Sequence, residues 1–173
     1  LDLSILQNSN LLKGHDQRFV VKNNGRTTNK QWNEDSFFKD LESRRGYEEA
    51  DIARMILEWA KGLLSRIWWG KGEKDGSAYP ILDYKGKTYY PICIWSYGKV
   101  EMQFQYLKRN PPFDAESKRK ELLDRLNQIP GFSIPEDAIT RRPNIYLAAL
   151  KNKNALKQFL ETLDWVVQEI KNS

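Results

Sequence analysis

The amino-acid sequence predicts an α+β fold: a helical N-terminal part, a twisted antiparallel sheet of three to five strands, and two C-terminal helices packed on one face. Three observations predict it. Apolar residues recur at helical spacing between Phe37 and Leu63, and again between Leu156 and Ile170. From Arg66 to Tyr106 the pattern changes to aromatic and β-branched runs that alternate residue by residue. Proline and glycine signals at "NPPF" (Asn110 to Phe113) and "PG" (Pro130, Gly131) then close the strands off from the helices that follow.

Residues 1–31 read as an arm or linker, with the domain spanning 32–173. "LDLSILQNSNLLKG" holds no sustained helical stripe, "QRFVVK" fits a short strand, and "NNGRTTNKQ" has turn composition. Asn33 or Asp35 can cap a first helix whose apolar side is Phe37, Phe38 and Leu41. Gly46 separates it from a second helix, with Ile52, Met55, Ile56, Trp59 and Leu63 as the expected buried stripe. Glu48, Glu49 and Asp51 sit at its start, where the helix dipole favours negative charge.

The strands follow as "RIWWG", "SAYPILDY", "KTYYPICIW" and "KVEMQFQYL". "YKGK" and "SYGK" are tight-turn signals between them. In the last run Val100, Met102, Phe104 and Tyr106 alternate with Glu101, Gln103 and Gln105, which predicts one core face and one solvent face. Pro91 has no amide donor, so its strand is an edge or is bulged there. Asp114 can cap a helix that turns Leu122, Leu123, Leu126 and Ile129 inward. "FSIPEDAITRRPNIYLAAL" reads as a proline-punctuated, partly extended connector. A last helix from about Asn154 has Leu156, Phe159, Leu160, Leu163, Val166, Val167 and Ile170 as its apolar face.

The totals bound the function. A length of 173 residues suits one domain with a proper core, and 40% hydrophobic with 29% charged residues is a globular profile. No run approaches the ~18 apolar residues of a membrane span, and no signal-peptide pattern opens the chain. Cys93, the single cysteine, excludes an internal disulfide and a multi-cysteine zinc site. A reduced, cytoplasmic setting is the expectation. A chain opening on Leu1 reads as a fragment or a processed product, so a catalytic module can lie outside it and other modules of a larger protein are candidate partners. The formal net charge is +5, and residues 66–109 carry eight basic against four acidic side chains. Such a basic segment is an electrostatic footprint for nucleic acid or another polyanion.

Candidate chemistry is concentrated in that segment. Trp68, Trp69, Tyr79, Tyr84, Tyr89, Tyr90, Trp95 and Tyr97 are interleaved with Arg66, Lys71, Lys74, Lys85, Lys87 and Lys99. Aromatic rings that stack on bases, with basic groups on the backbone, hold single-stranded nucleic acid or a flipped base. The same rings also fill a small sheet's core. Strand alternation sends one of Trp68 and Trp69 inward and the other outward. "GKGEKDGS" lacks the G-K-[ST] of a nucleotide-hydrolase loop, although its glycines can offer backbone amides to a phosphate.

A second set of candidates is Asp83 and Glu101 with Glu42 or Glu58, which loosely resembles the D…E-x-K arrangement of restriction nucleases. Two carboxylates can hold magnesium, but Gln103 stands where that pattern needs lysine. No cofactor is expected apart from magnesium in that case. His15 and Cys93 lack the companions of a nucleophilic site. Lys118, Arg119 and Lys120 open a helix against its dipole, and Arg141 and Arg142 are a further basic spot.

"WWGKGEKDGSAYP", "KVEMQFQYLKRNPPF", "ELLDRLNQIPG" and "RRPNIYLAAL" together resemble an uncharacterised bacterial domain associated with nuclease and restriction-type defence proteins. The resemblance spans about Trp32 to Ile170 and brings no catalytic set with it. It implies a DNA-linked role. The expectation is therefore a nucleic-acid-binding accessory domain, with Lys71, Lys74, Lys85 and Lys87 on phosphates and Trp68 or Trp69 stacking. A magnesium-dependent nuclease domain and a protein-interaction module are the alternatives.

Overall fold

Asn33 starts the first helix by a reciprocal cap. Ser36 N donates to its side chain at 2.9 Å, and Asn33 N donates to the Ser36 hydroxyl at 3.0 Å. The computed structural model describes residues 30–173, so His15 and the expected arm, Lys30 and Gln31 apart, lie outside the described residues. Helix α1 (Glu34–Arg45) buries Phe37, Phe38 and Leu41. Gly46, at φ 83°, breaks the chain, and α2 (Tyr47–Leu63) begins at once. Its buried face is Ala50, Ile52, Ala53, Ile56, Leu57 and Ala60, while Met55 is 52% exposed. The expected stripe is thus rotated: the alanines permit close approach but carry little hydrophobic signal of their own, so Met55 and Leu63 misdirect the pattern.

The sheet comprises β1 (Arg66–Trp69), β2 (Ser77–Tyr84), β3 (Lys87–Tyr89), β4 (Ile92–Trp95), β5 (Lys99–Met102) and β6 (Asn144–Tyr146). Strands run β1-β2-β4-β5-β6, all antiparallel, with β3 also on β2. Lys85 and Gly86, both at positive φ, form the two-residue β2–β3 turn. Ala78 faces Ile94 whereas Leu82 faces Tyr89, so the β3–β4 side has one extra residue. That is a bulge at Tyr90–Pro91, where proline has no amide to give the ladder.

Three expectations change here. The run from Lys99 leaves the sheet after Met102 and forms the helical turn α3 (Phe104–Leu107). Gln103 N donates to Pro91 O, and Gln103 O then accepts from Tyr106 N and Leu107 N. Val100, Met102 and Phe104 are all buried, so the period-two pattern continues past the strand's end. Glu101 and Gln103, expected on a solvent face, are buried. The connector supplies β6, which pairs with β5, between the 3₁₀ helices Glu136–Thr140 and Leu147–Lys151.

Helix α4 (Glu116–Asn127) buries Leu122, Leu123 and Leu126. Asp114 does not cap it; its carboxylate accepts from Ala115 N, and Ala115 holds the cap position without a side-chain bond. Asn152 caps α5 (Lys153–Lys171), which buries Phe159, Leu163, Val166, Val167 and Ile170. These helices and α1 and α2 share one core with Ala78, Leu82, Ile94, Val100, Met102 and Ile145 of the sheet. By alternation, the other face of the sheet carries Arg66, Trp68, Tyr79, Ile81, Cys93 and Glu101. No helix of the described residues is long and apolar enough to cross a membrane.

Candidate functional site

Register brings Trp68 opposite Tyr79 and Arg66 opposite Ile81 on the face away from the helices. Trp68 is 43% exposed, and its ring lies 5.4 Å from that of Tyr79. Trp69 turns the other way, onto Phe37 at 5.4 Å. The bulge delivers Tyr90 to the open face, 5.7 Å from Tyr106 on α3. Together these four rings, Arg66 and Ile81 line a cleft of about 470 Å³.

Guanidinium groups gather at Tyr106. Arg109 lies 4.6 Å from its ring centroid and Arg142 6.0 Å. Lys108 and Arg109 form no ion pair among the described residues. Burial pushes the Tyr79 hydroxyl and the Cys93 thiol well above their ordinary values. Both stay neutral at physiological pH, and Cys93 is fully buried, so it is a small apolar residue here. Sequence reasoning does not single out Tyr106 or Arg109, and it gives Arg142 only as part of a basic spot with Arg141. Tyr106 reads there as a strand residue, and only the helical turn carries it under the bulge.

The carboxylates do not meet. Asp83 accepts from Arg66 Nε at 2.9 Å and Thr88 Oγ1 at 2.8 Å, and these bonds, Arg66 first, hold its carboxyl below the usual range. Glu101 accepts from Gln103 Nε2 at 2.7 Å and Trp95 Nε1 at 3.3 Å, with Arg142 at 3.7 Å. Glu101 faces Cys93, next to Tyr79, so Asp83 lies about 13 Å along the strands and about 10 Å across them. One ion held at ~2–2.6 Å cannot bridge that. Glu42 and Glu58 pair with Arg54 and Lys61 on the helical side. No group of three or more metal-binding side chains occurs among the described residues.

Nor do the four lysines form one patch. Lys71 and Lys74 lie in the β1–β2 loop, and Lys85 and Lys87 at the other end of β2, about 23 Å away by strand rise. Lys85 Nζ donates to Ser173 O at 3.0 Å. The glycine loop uses amides internally: Gly70 N donates to Ser77 O and Gly76 N to the Ser96 hydroxyl. Trp32 packs against Gly76, and its indole donates to Gly72 O at 3.0 Å. This loop is held by the core, and Gln31, counted with the arm by the sequence, bridges to Lys71. The basic start of α4 is neutralised from within. Lys118 pairs with Glu121 and Glu169, Lys120 with Glu116, and buried Arg119 donates to Phe113 O and Asp114 O.

Comparison with family models, with curated proteins and with solved structures finds no match to this chain.

Proposed function

We propose that this chain is a nucleic-acid-binding accessory domain that takes an unstacked base in the cleft of Trp68, Tyr79, Tyr90 and Tyr106. The cleft itself carries the reading. Four rings line a concavity on the open face of a sheet, with guanidinium groups at its edge. A base offers an aromatic ring the same partner whatever its sequence, at ~1–3 kcal/mol per stack. Paired bases keep those faces covered, so a single strand or a flipped base is the preferred ligand. Arg109 and Arg142, both at the Tyr106 ring, are the phosphate contacts in this arrangement, with the exposed Lys108 beside Arg109 in the chain. DNA, and a restriction or defence setting, rest on the sequence resemblance.

Fluorescence anisotropy with a labelled single-stranded DNA, its RNA counterpart and the duplex tests this. Single strands are expected to bind more tightly than the duplex, and to weaken by an order of magnitude or more between about 50 and 200 mM salt as the entropy gained by releasing counterions from the phosphates shrinks. Trp68→Ala should weaken binding by about tenfold. Paired Lys108→Ala and Arg109→Ala should flatten the salt slope. Affinity indifferent to both salt and Trp68 would end the proposal.

A further inference from the structure

On the helical side, α2, the 3₁₀ helix Leu147–Lys151 and α5 enclose an apolar groove of about 670 Å³. We propose that it docks an acidic amphipathic helix of a partner protein.

The floor is built by Ile52 and Met55 from α2, Leu150, and Leu156 and Leu160 from α5. Ile52 and Met55 are three residues apart and Leu156 and Leu160 four, so each helix presents a ridge, and a third helix fits between two ridges. Met55 is 52% exposed, just outside the buried face of α2 beside Ile52. A flexible thioether is suited to taking up an incoming apolar side chain.

Charge complementarity selects the occupant. Lys151, Lys153 and Lys157 rim the groove, against Glu48 alone. Lys153 has no ion pair among the described residues. Lys151 meets Glu48 at 3.1 Å and Lys157 meets Glu161 at 3.8 Å, exposed pairs that contribute little in solvent. The first turn of α5 holds no acidic residue, so the positive end of its dipole adds to the lysines. Within the chain that placement is unfavourable, and an acidic ligand offsets it. A nucleic acid satisfies the rim but not the floor, and a basic helix satisfies the floor but is repelled by the rim.

The chain contains two methionines, and they make the test specific: Met55 lines the groove, whereas Met102 is fully buried in the core. Methyl-labelled methionine in the full chain gives one reporter and one internal control by NMR. The probe is a synthetic helical peptide of about 15 residues with leucine on one face and glutamate on the other; its companion has lysine for glutamate. The glutamate peptide should shift Met55 and leave Met102 in place, and the lysine peptide should shift neither. Lys153→Glu with Lys157→Glu should weaken the glutamate peptide about tenfold, with an unchanged Met102 signal showing the fold intact. A Met55 signal indifferent to the glutamate peptide, or equally responsive to both, overturns the proposal. A Met55 signal that moves on dilution of the protein alone assigns the groove to a second copy and overturns it too.

Discussion

Trp68 and Trp69 are chain neighbours on opposite faces of β1, and substitution should separate them. Trp69 packs on Phe37 beside the core, so Trp69→Ala leaves a void and should cost about 2 kcal/mol of stability in urea unfolding. Trp68→Ala should leave the urea midpoint nearly unchanged. The reverse order would show the two faces wrongly assigned. Cys93 should resist thiol reagents in the folded protein and react at once in denaturant, because burial disfavours its thiolate. For Asp83 the carboxyl is depressed in the folded state, so its contribution is present above the unfolded value near ~3.9 and is lost as pH falls through the lower folded value. Asp83→Asn should therefore lower stability at neutral pH and make no difference in strong acid. An equal effect at both pH values would sink the Arg66–Asp83 account.

Among elements, the turns were the most legible. "YKGK" is the two-residue hairpin its sequence announces, because lysine followed by glycine can fill two left-handed positions. In "SYGK", Gly98 has φ 92°, and a methyl there would lie 2.8 Å from both Arg45 Nε and Glu49 Oε2. Gly98→Ala should thus destabilise by more than about 1 kcal/mol, through strain and through the displaced Arg45–Glu49 pair. Asn33→Ala should cost about 1 kcal/mol through the lost cap. Both are read from denaturant midpoints, and an unaffected midpoint would remove the stated cause. β6 was not legible, since three residues with one buried side chain give no periodicity. The end of β5 was not legible either, since Phe104 is buried whether the chain continues as a strand or turns.

Across the whole molecule, the helices cover one face of the sheet, while the other, although it buries Ile81, Cys93 and Glu101, exposes Trp68 at the cleft, so cleft and groove lie on opposite sides. Occupancy of the two should be independent. Met55→Glu is expected to leave oligonucleotide affinity unchanged, and Trp68→Ala to leave the peptide-induced Met55 shift unchanged. Coupling between them in anisotropy and NMR would require a link through the sheet that the rigid core does not offer. The excess charge of residues 66–109 was visible in the sequence, yet its distribution was not. Four lysines close in the chain occupy two ends of a strand, while Arg109 and Arg142, thirty-three positions apart, approach one ring.

By itself the sequence determined the α+β class, the helix break at Gly46, the hairpin turns, the irregular strand at Pro91 and the opposed tryptophans. Each of these follows from local causes: residue spacing, backbone freedom and amide donors. Tertiary structure decided which acids are structural, which lysines stand apart, and which rings share a cleft. Those outcomes depend on a one-residue register slip and a strand that ends early. Both choices are fixed by packing and hydrogen bonds between segments distant in the chain, and no local pattern encodes them.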